Sequence, residues 1–435
     1  MMNLTKLRLD KSGVLPLYRQ LSDAMSHEIA ELPASSKLPT IRSLSHFLGI
    51  NNNTVVSAYK YLESQGLVYS VVGSGFYSAQ LVQDALDSVE VSILHGSVNF
   101  ADASTGVEFF PIDAFRRSCD SVLLQDRGIA FNEVEPQGFL PLREAMCLQS
   151  NSDNIYIATG LSHVIDEIAG KLITPGDVVL LERPGLQGVG ALFSAKRARI
   201  IEFDVGDLAK ITALVKLHSP KFIFLMPNFQ VPTGFCYSAE SKQKLLDLAN
   251  DAGVYIIEAD MAGDFYYVDK PPVTLKSLDS YNLVVYVKSF AGILAGLQIA
   301  VVDCPITVEG FGAPAGFIQR IVNFYLRSED FKVQADFMRR EYSKRYHKMI
   351  QACETYLTPY AKFSVPGGGL GIWVSPYGSC NDELFDKFLS RQVVVSPGRM
   401  FSANAHGFRM NFANVTEAKI AEGVGIIASV LAQMK

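Results

Sequence analysis

The spacing of apolar residues changes along this chain, and the change falls near residue 80. Up to that point apolar residues recur every three or four positions, which is the period of a helix that buries one face. Helices are predicted over residues 16–32, over 40–48, and from the run Asn51–Asn53 onward. The last of these is expected to expose Asn53, Thr54, Ser57 and Lys60. The inward-facing positions of the three are Leu17, Leu21, Ala24, Met25, Ile29, Ile41, Leu44, Leu48, Val55, Ala58 and Leu62.

Two short β-rich runs follow these helices. The stretch LVYSVVGSGFYSA after Gly66 predicts two strands that turn at Gly73-Ser74-Gly75 and form a hairpin. Helix, tight turn, helix and hairpin wing together form a shape that fits the major groove of DNA. The first part of the chain is therefore predicted to be a winged helix-turn-helix.

Beyond residue 155 the apolar residues form continuous runs. These runs alternate with helical stretches and read IYIATG, VVLLERPG, RIIEFDV, KFIFLMPN, VYIIEAD, LVVYVKSF and QIAVVD. Apolar strands separated by helices are typical of a mostly parallel sheet covered on both faces, so the fold class predicted is α/β. A long helix is predicted from about Phe317, followed by a smaller α/β part and a terminal helix from Thr416 to Gln433.

Net charge separates the same two parts. Residues 1–80 contain seven Lys and Arg and five Asp and Glu, a balance of +2, whereas the whole chain is −5 and the remainder is therefore −7. This balance excludes a uniformly basic nucleic-acid coat but leaves the first part as the candidate for DNA contact. With no apolar run of about 18 residues, a soluble cytoplasmic protein without a membrane partner is expected. The six cysteines show no CxxC and no histidine at metal spacing, so free thiols and no metal site are expected.

The stretch from PLYRQL to VVGSGFY resembles the winged helix-turn-helix of the GntR family. The resemblance implies double-stranded promoter DNA as partner. Family members usually have arginine where Asn52 stands, and since Asn pairs with adenine and Arg with guanine, an operator richer in A·T is expected. The alternative is that Asn51–Asn53 only cap a helix and that Arg42, in the preceding helix, lies on a solvated face. The implied DNA contacts are Arg42, Asn52, Asn53, Thr54, Tyr59 and Lys60, with Ser74 and Gly75 at the wing tip.

The order of elements in the rest of the chain resembles the fold type I aminotransferases, whose cofactor is pyridoxal phosphate (PLP). A winged helix joined to that fold is the arrangement of the MocR subgroup of GntR regulators. The resemblance implies a winged helix-turn-helix at 1–79, a linker at 80–95, a large aminotransferase-like domain at 96–316 and a small C-terminal domain at 317–435. Since fold type I domains pair, a homodimer is expected.

The cofactor lysine of that family is missing from this chain. In LVVYVKSFAGILAGLQIAVVDC, Ser289 and Phe290 match the family segment Ser-aromatic-Ser-Lys, but Ala291 and Gly292 follow where serine and lysine belong. Without a lysine amine no imine with PLP can form. The predicted cofactor is therefore none, with PLP bound at most noncovalently. Other PLP-holding positions are also changed, with Ala259 for the pyridine-nitrogen aspartate, Met261 for tyrosine, Val231 for the phenolate-binding asparagine, Leu186 for the stacking aromatic and Gln298 for the phosphate arginine.

Three polar residues remain as candidates for holding a ligand. Ser162 begins a helix and Ser289 is retained, so the two predict a weak anion site. Arg409, in FRMNFAN, matches the family arginine that binds the substrate carboxylate. A carboxylate ligand and an interdomain salt bridge explain it equally well. Lys288 lies on the predicted strand rather than at its end and is interpreted as structural.

The leading hypothesis is a DNA-binding transcriptional regulator whose aminotransferase-like domain is a pseudoenzyme, used for dimerisation and for sensing a small carboxylate effector. One alternative is a regulator that responds to PLP or an amino acid and holds PLP noncovalently or through another lysine. A second is an active aminotransferase fused to a DNA-binding domain. In a third, the large domain mainly docks another protein, such as RNA polymerase.

Overall fold

The computed structural model describes residues 4, 7, 9, 16–30, 36–64, 67–71, 75–78, 97–102, 107–147, 154–294 and 297–434. Contacts between residues divide the chain into two units, Met1–Gly96 and Ser97–Lys435. The predicted linker, residues 80–95, lies outside the described residues. The division of the second unit near residue 316 stays a prediction.

The first unit is a helix-turn-helix followed by a hairpin. Its elements are α1 (Leu17–Ala30), α2 (Ile41–Leu48), α3 (Asn52–Ser64), β1 (Val68–Val71) and β2 (Gly75–Ser78), and the two strands pair antiparallel. The apolar stripes of the three helices meet in one core, so the predicted inward faces are confirmed except at Leu17, which is not part of this core. Its most deeply buried members are Leu21, Met25, Leu44, Val55, Ala58, Tyr59 and Leu62.

The tight turn between α2 and α3 is encoded at both ends of α2. The Thr40 side chain accepts a hydrogen bond from the backbone N–H of Ser43, which begins the helix. Gly49 ends it with a φ of 59°, and its N–H donates to the carbonyl of Ser45. Glycine enters this left-handed region without steric cost, so the chain can reverse within a few residues.

The second unit contains the remaining strands and helices. Its strands are β3 (Val98–Asn99), β4 (Ile155–Ala158), β5 (Val178–Arg183), β6 (Arg199–Asp204), β7 (Phe222–Leu225), β8 (Tyr255–Asp260), β9 (Val284–Ser289), β10 (Ala300–Asp303), β11 (Ala361–Phe363), β12 (Gly371–Pro376), β13 (Val393–Val394), β14 (Ser396–Pro397) and β15 (Phe408–Asn411). Its helices are α4 (Ile112–Asp126), α5 (Leu140–Cys147), α6 (Gly160–Leu172), α7 (Gln187–Ala195), α8 (Leu208–His218), α9 (Ala239–Ala252), α10 (Leu275–Leu278), α11 (Ala291–Leu294), α12 (Gly316–Arg327), α13 (Glu329–Tyr356), α14 (Asp382–Ser390) and α15 (Glu417–Gln433).

A seven-stranded sheet lies at the centre of the second unit, in the order β4-β10-β9-β8-β7-β5-β6. The apolar runs of the sequence form its strands. β10 is antiparallel to both of its neighbours, and the other neighbouring pairs are parallel. One face packs against α6 and α7, and the other packs against α8, α9 and α10. The prediction of a mostly parallel sheet covered on both faces is therefore confirmed.

The C-terminal part of the chain has its own core around the sheet β11-β12-β15-β14. Val98 and Phe100 also pack into this core, and β3 pairs in parallel with β13. The first residues after the linker thus join the C-terminal part in space, although they precede the central sheet in sequence.

One helix prediction is wrong in detail. The long helix expected from Phe317 consists of two helices, α12 and α13, that meet at Ser328. Ser328 has an extended backbone and its side chain accepts a hydrogen bond from the N–H of Phe331, so it ends one helix and caps the next. Among the helices that the structure describes, none is long and apolar enough to cross a membrane.

Candidate functional site

The first candidate site is the outer face of α3. Val55, Ala58 and Leu62 are buried, whereas Asn52, Asn53 and Lys60 on the opposite side are exposed and Thr54 is half-exposed. Arg42 is exposed on α2. The structure therefore presents these predicted DNA contacts on solvent-facing surfaces of the helix-turn-helix. Gly75, at the start of β2, has a φ of 113°, and Ser74 lies outside the described residues.

The asparagines before and within α3 have different hydrogen bonds. Asn51 Oδ1 accepts from the backbone N–H of Asn53 at 2.9 Å, so Asn51 caps the helix as one alternative proposed. Asn52 instead crosses the turn, where its Oδ1 accepts from Ser45 Oγ at 2.6 Å. This bond fixes the amide and leaves its Nδ2 donors for another partner. Sequence reasoning missed Ser45, which lies seven residues away on another helix.

The prediction that Tyr59 contacts DNA is wrong. Its ring is completely buried and stacks on Phe76 of the wing with ring centroids 4.2 Å apart. Its hydroxyl donates to the carbonyl of Pro39 at 2.5 Å, and burial raises its pKa. Tyr59 follows Val55 by one helical turn and precedes Leu62 by three residues, a spacing that predicts an inward position.

The second candidate site is the position where aminotransferases hold PLP. Leu161, Leu186, Val231, Ala259 and Met261 pack in one apolar cluster on the α6–α7 face of the sheet; we call these five residues the Ala259 cluster. The structure thus brings together four of the positions at which the sequence departs from the family. None of the five can pair with a pyridine nitrogen or donate to a phenolate oxygen, so the residues present do not fit PLP.

Gly292 points away from the Ala259 cluster. It is buried in α11, and a Cβ added to it would come within 2.6 Å of the ring of Phe265. Phe265 is only 1% exposed and belongs to a separate core with Phe290 and Ile293. A longer side chain at position 292 would therefore collide with packed aromatic carbon.

Lys288 cannot replace the missing lysine. It pairs in register with Asp260, whereas Ala259 pairs with Val287, and successive strand residues face opposite sides of a sheet. Lys288 Nζ lies 2.9 Å from Asp264 Oδ1 in a half-buried ion pair. Its interpretation as a structural residue is confirmed.

The two serines of the predicted anion site differ in exposure. Ser162 is exposed in the first turn of α6, and Ser289 is buried at the end of β9. Gln298 lies beside Gly160 at the N-terminus of α6, where a Cβ on the glycine would be 3.9 Å from Gln298 Cβ. A neutral amide therefore stands beside this helix terminus, and it supplies no charge to balance a phosphate.

Arg409 is a buried guanidinium. It lies on β15 between Trp373 and Ser396 of the neighbouring strands and is 8% exposed. Within the described ranges, no hydrogen-bond or ion-pair partner of its side chain is present. Burial lowers its pKa to about 10, so it remains charged near neutral pH. The salt-bridge alternative therefore has no partner in the part of the chain that the structure describes.

Three glycines of the second unit have neighbours that leave little room for a side chain. A Cβ on Gly371 would lie 3.0 Å from Arg409 Nε, so the guanidinium rests against the glycine backbone. A Cβ on Gly368 would lie 2.3 Å from the Phe229 ring, and one on Gly234 would lie 2.7 Å from Pro366. Close packing therefore accounts for glycine at these three positions.

Two protein families match this chain. Aminotransferase class I and II matches residues 134–427, and the gntR family of bacterial regulatory proteins matches residues 17–77. The first match covers more than half of the chain, so the protein belongs to the aminotransferase class I and II family. Its N-terminal unit is a GntR helix-turn-helix, and the two together are the arrangement of MocR-type regulators.

Relatives that match nearly the whole chain have regulator names. The probable rhizopine catabolism regulatory protein MocR of Rhizobium meliloti is 23% identical, over 97% of this chain and 95% of its own length. The HTH-type transcriptional regulator YdfD of Bacillus subtilis is 22% identical, over 95% of this chain and 96% of its own. The 2-aminoadipate transaminase of Thermus thermophilus is 25% identical, over 81% of this chain and 94% of its own.

Solved aminotransferases show the same fold. The α-aminoadipate aminotransferase of Thermus thermophilus superposes with a TM-score of 0.72 and 24% identity, covering 80% of this chain and 95% of that chain. The multiple substrate aminotransferase of Thermococcus profundus gives a TM-score of 0.73 and 23% identity, covering 82% and 96%. At this identity the similarity establishes the fold and leaves the chemistry to the residues described above.

Proposed function

We propose that this protein is a transcriptional regulator that binds double-stranded promoter DNA. The observation that carries the proposal is the outer face of α3, where Asn52, Asn53 and Lys60 are exposed close in sequence to Arg42 of α2. Amide and cationic side chains supply the donors that base edges and phosphates accept. The names of the full-length relatives point to the same function.

The test is selection of bound sites from a random DNA pool by the full chain, followed by mobility-shift titration. We expect two half-sites rich in A·T, and about a tenfold loss of affinity in Asn53→Ala, the order of one base contact. Lys216→Ala, which removes an exposed charge from α8 of the second unit, is the matched control and should bind like wild type. Failure to enrich any sequence would overturn the proposal, and G·C-rich half-sites would overturn the A·T preference alone.

We infer further that the second unit is a pseudoenzyme without bound PLP. The support is the Ala259 cluster, which fills with carbon the position that needs an acid and hydrogen-bond donors, together with Gly292 packed against Phe265. The test is to purify the protein, to dialyse it against buffer that contains PLP, and to record its visible absorption spectrum before and after treatment with borohydride. A colourless protein is expected, and an absorbance band that borohydride removes would overturn the inference.

Arg409 supports a carboxylate effector. An unpaired buried guanidinium is costly unless a ligand supplies the opposite charge, and a carboxylate accepts its two parallel donors. The test is calorimetric titration of the full chain with a panel of small carboxylates. We expect heat of binding that Arg409→Ala abolishes and Arg399→Ala, an exposed arginine paired with Asp382, retains. No heat from any member of the panel would count against this role.

A homodimer is supported by exposed apolar side chains in residues 112–131. Ile112, Leu124, Ile129 and Phe131 are 71%, 77%, 61% and 67% exposed, and such side chains gain free energy when a second copy covers them. Light scattering after gel filtration should give twice the chain mass. Leu124→Lys should shift it towards the monomer, whereas Leu217→Lys, which changes a leucine on α8 that is 73% exposed, should leave it unchanged. A monomeric wild type would overturn the proposal.

A further inference from the structure

A cavity of ≈ 370 Å³ lies beside the Ala259 cluster. It is open to solvent on one side and is bordered by α7, by the face of β5, β6 and β7, and by the loop 401–404 of the C-terminal part. Leu186 lines it and also belongs to the Ala259 cluster, so the two are separated by a single side chain. The other cluster members and Arg409 do not line it. Its volume is in the range of small-molecule sites, roughly 300–1,000 Å³.

The floor of the cavity is apolar except at one end. Phe224, Leu181 and Glu202 are register neighbours across β7, β5 and β6 and therefore form a row on one face of the sheet. Phe224 and Leu181 are 4% and 7% exposed, and Glu202 on the edge strand is exposed. A ligand in this cavity would have its body against carbon and one end beside a carboxylate.

Glu202 is the acidic group at this site that a ligand can reach, although the nearby Arg183 guanidinium also attracts it. Arg183 is held by Asp204, with Nε 2.7 Å from Oδ1. Both oxygens of Glu182 are occupied, since Oε2 accepts from the N–H of Met226 at 2.8 Å and Oε1 accepts from Tyr237 at 2.9 Å. Glu202 has no hydrogen bond or ion pair to any of the residues described. Arg183 (+1), Asp204 (−1) and Glu202 (−1) together carry a net charge of −1, and Glu182 is left out of this sum because burial raises its pKa to about 7.

We propose that this cavity binds a small primary amine with an aromatic or branched aliphatic body. The ammonium group lies beside Glu202, and the body fills the space between Leu181, Leu186, Val189 and Phe224. This site differs in ligand charge from Arg409, which attracts anions, and the carboxylate disfavours a phosphorylated ligand such as PLP. A chain with both sites would bind amines in this cavity and carboxylates at Arg409.

The test is calorimetric titration of the full chain, without DNA, with 2-phenylethylamine, 2-phenylethanol and 3-phenylpropanoate. These probes share an aromatic body and carry a cationic, a neutral and an anionic end. We expect the amine to bind about fivefold more tightly than the alcohol, as for a partly exposed charge contact, and the carboxylate to bind most weakly. Glu202→Gln should bind amine and alcohol equally, a change that a merely structural role would not produce. Since no DNA is present, failure here is distinguishable from failure of the regulatory function.

Two controls keep the result interpretable. Glu354→Gln changes an exposed acid on α13 outside the cavity lining and should keep the preference for the amine. Ala403→Trp, which fills the cavity from the exposed loop, should abolish binding of amine and alcohol, whereas Ala213→Trp on the exposed side of α8 should not. The proposal is overturned if the amine gives no heat, if alcohol and amine bind wild type equally, or if Glu202→Gln keeps the preference. Circular dichroism of each variant shows whether it is folded.

Discussion

The two units of this protein differ in where function and packing lie. In α3, the buried residues form the core, whereas Lys60 and the Nδ2 group of Asn52 are exposed and can be reached by a partner. In the second unit, the residues that would hold PLP are themselves part of the interior, where Ala259 and Val231 now pack. Because buried polar groups are costly without a partner, an interior position that holds no ligand is more stable when it is lined with carbon. The outer face of a helix is under no such constraint.

The largest expected effect tests whether packing and DNA contact are separate in the first unit. Tyr59→Ala removes a fully buried ring and should lower the free energy of unfolding of that unit by about 3–5 kcal/mol. Tyr59→Phe loses only the hydrogen bond to Pro39 and should cost about 1 kcal/mol. Urea unfolding followed by circular dichroism measures both values.

Lys60→Ala is the counterpart of the tyrosine variants, because Lys60 is the next residue and is exposed. It should change stability by less than about 0.5 kcal/mol while weakening DNA binding and lowering its salt dependence. Tyr59→Phe should instead lower stability and leave DNA binding and its salt dependence unchanged. If Tyr59→Phe weakened DNA binding without loss of stability, the tyrosine would contact DNA after all, and the division between packing and contact would fail.

In the second unit, Gly292→Lys should fail to restore a cofactor site. Its side chain begins within 2.6 Å of Phe265, and overpacking of this kind costs about 1–3 kcal/mol. We expect a lower melting temperature and no visible absorbance after incubation with PLP. A coloured Gly292→Lys protein would show that the Ala259 cluster is no obstacle to the cofactor. Gly188→Lys, at an exposed glycine of α7 where an added Cβ would have no neighbour within 4 Å, controls for the addition of a lysine.

Arg409 contrasts with the Ala259 cluster. The cluster stabilises the interior and binds no ligand, whereas Arg409 is expected to bind a ligand and to reduce stability. Since its charge is buried and has no partner among the residues that the structure describes, Arg409→Met should stabilise the unliganded protein by about 1–3 kcal/mol and abolish carboxylate binding. Urea unfolding without and with the carboxylate found by calorimetry measures this. A destabilised Arg409→Met protein would mean that the guanidinium is mainly a packing element.

The sequence predicted the parts of both units that depend on local pattern. The strands of the central sheet follow from continuous apolar runs, and the loss of the lysine is visible in one segment. The burial of Tyr59 was missed because a resemblance to DNA-binding proteins was preferred to its helical spacing. Glu202 could not be found in this way, since its row with Leu181 and Phe224 exists only after three strands lie side by side. The sequence pattern predicts individual strands and helices, whereas a cavity depends on how several of them pack together.

The smallest expected effect concerns how Asn52 is aimed at DNA. Ser45 Oγ donates to Asn52 Oδ1 at 2.6 Å, which holds the amide with its Nδ2 donors free for a base. Ser45→Ala should release the amide and reduce discrimination between A·T and G·C at the contacted position by about 1 kcal/mol, roughly fivefold. Ser43→Ala, an exposed serine on the same helix, should not change it. Mobility-shift titrations on the two sequences measure the ratio. If Ser45→Ala weakened binding to both sequences equally, Ser45 would contact the phosphate backbone and would not position Asn52.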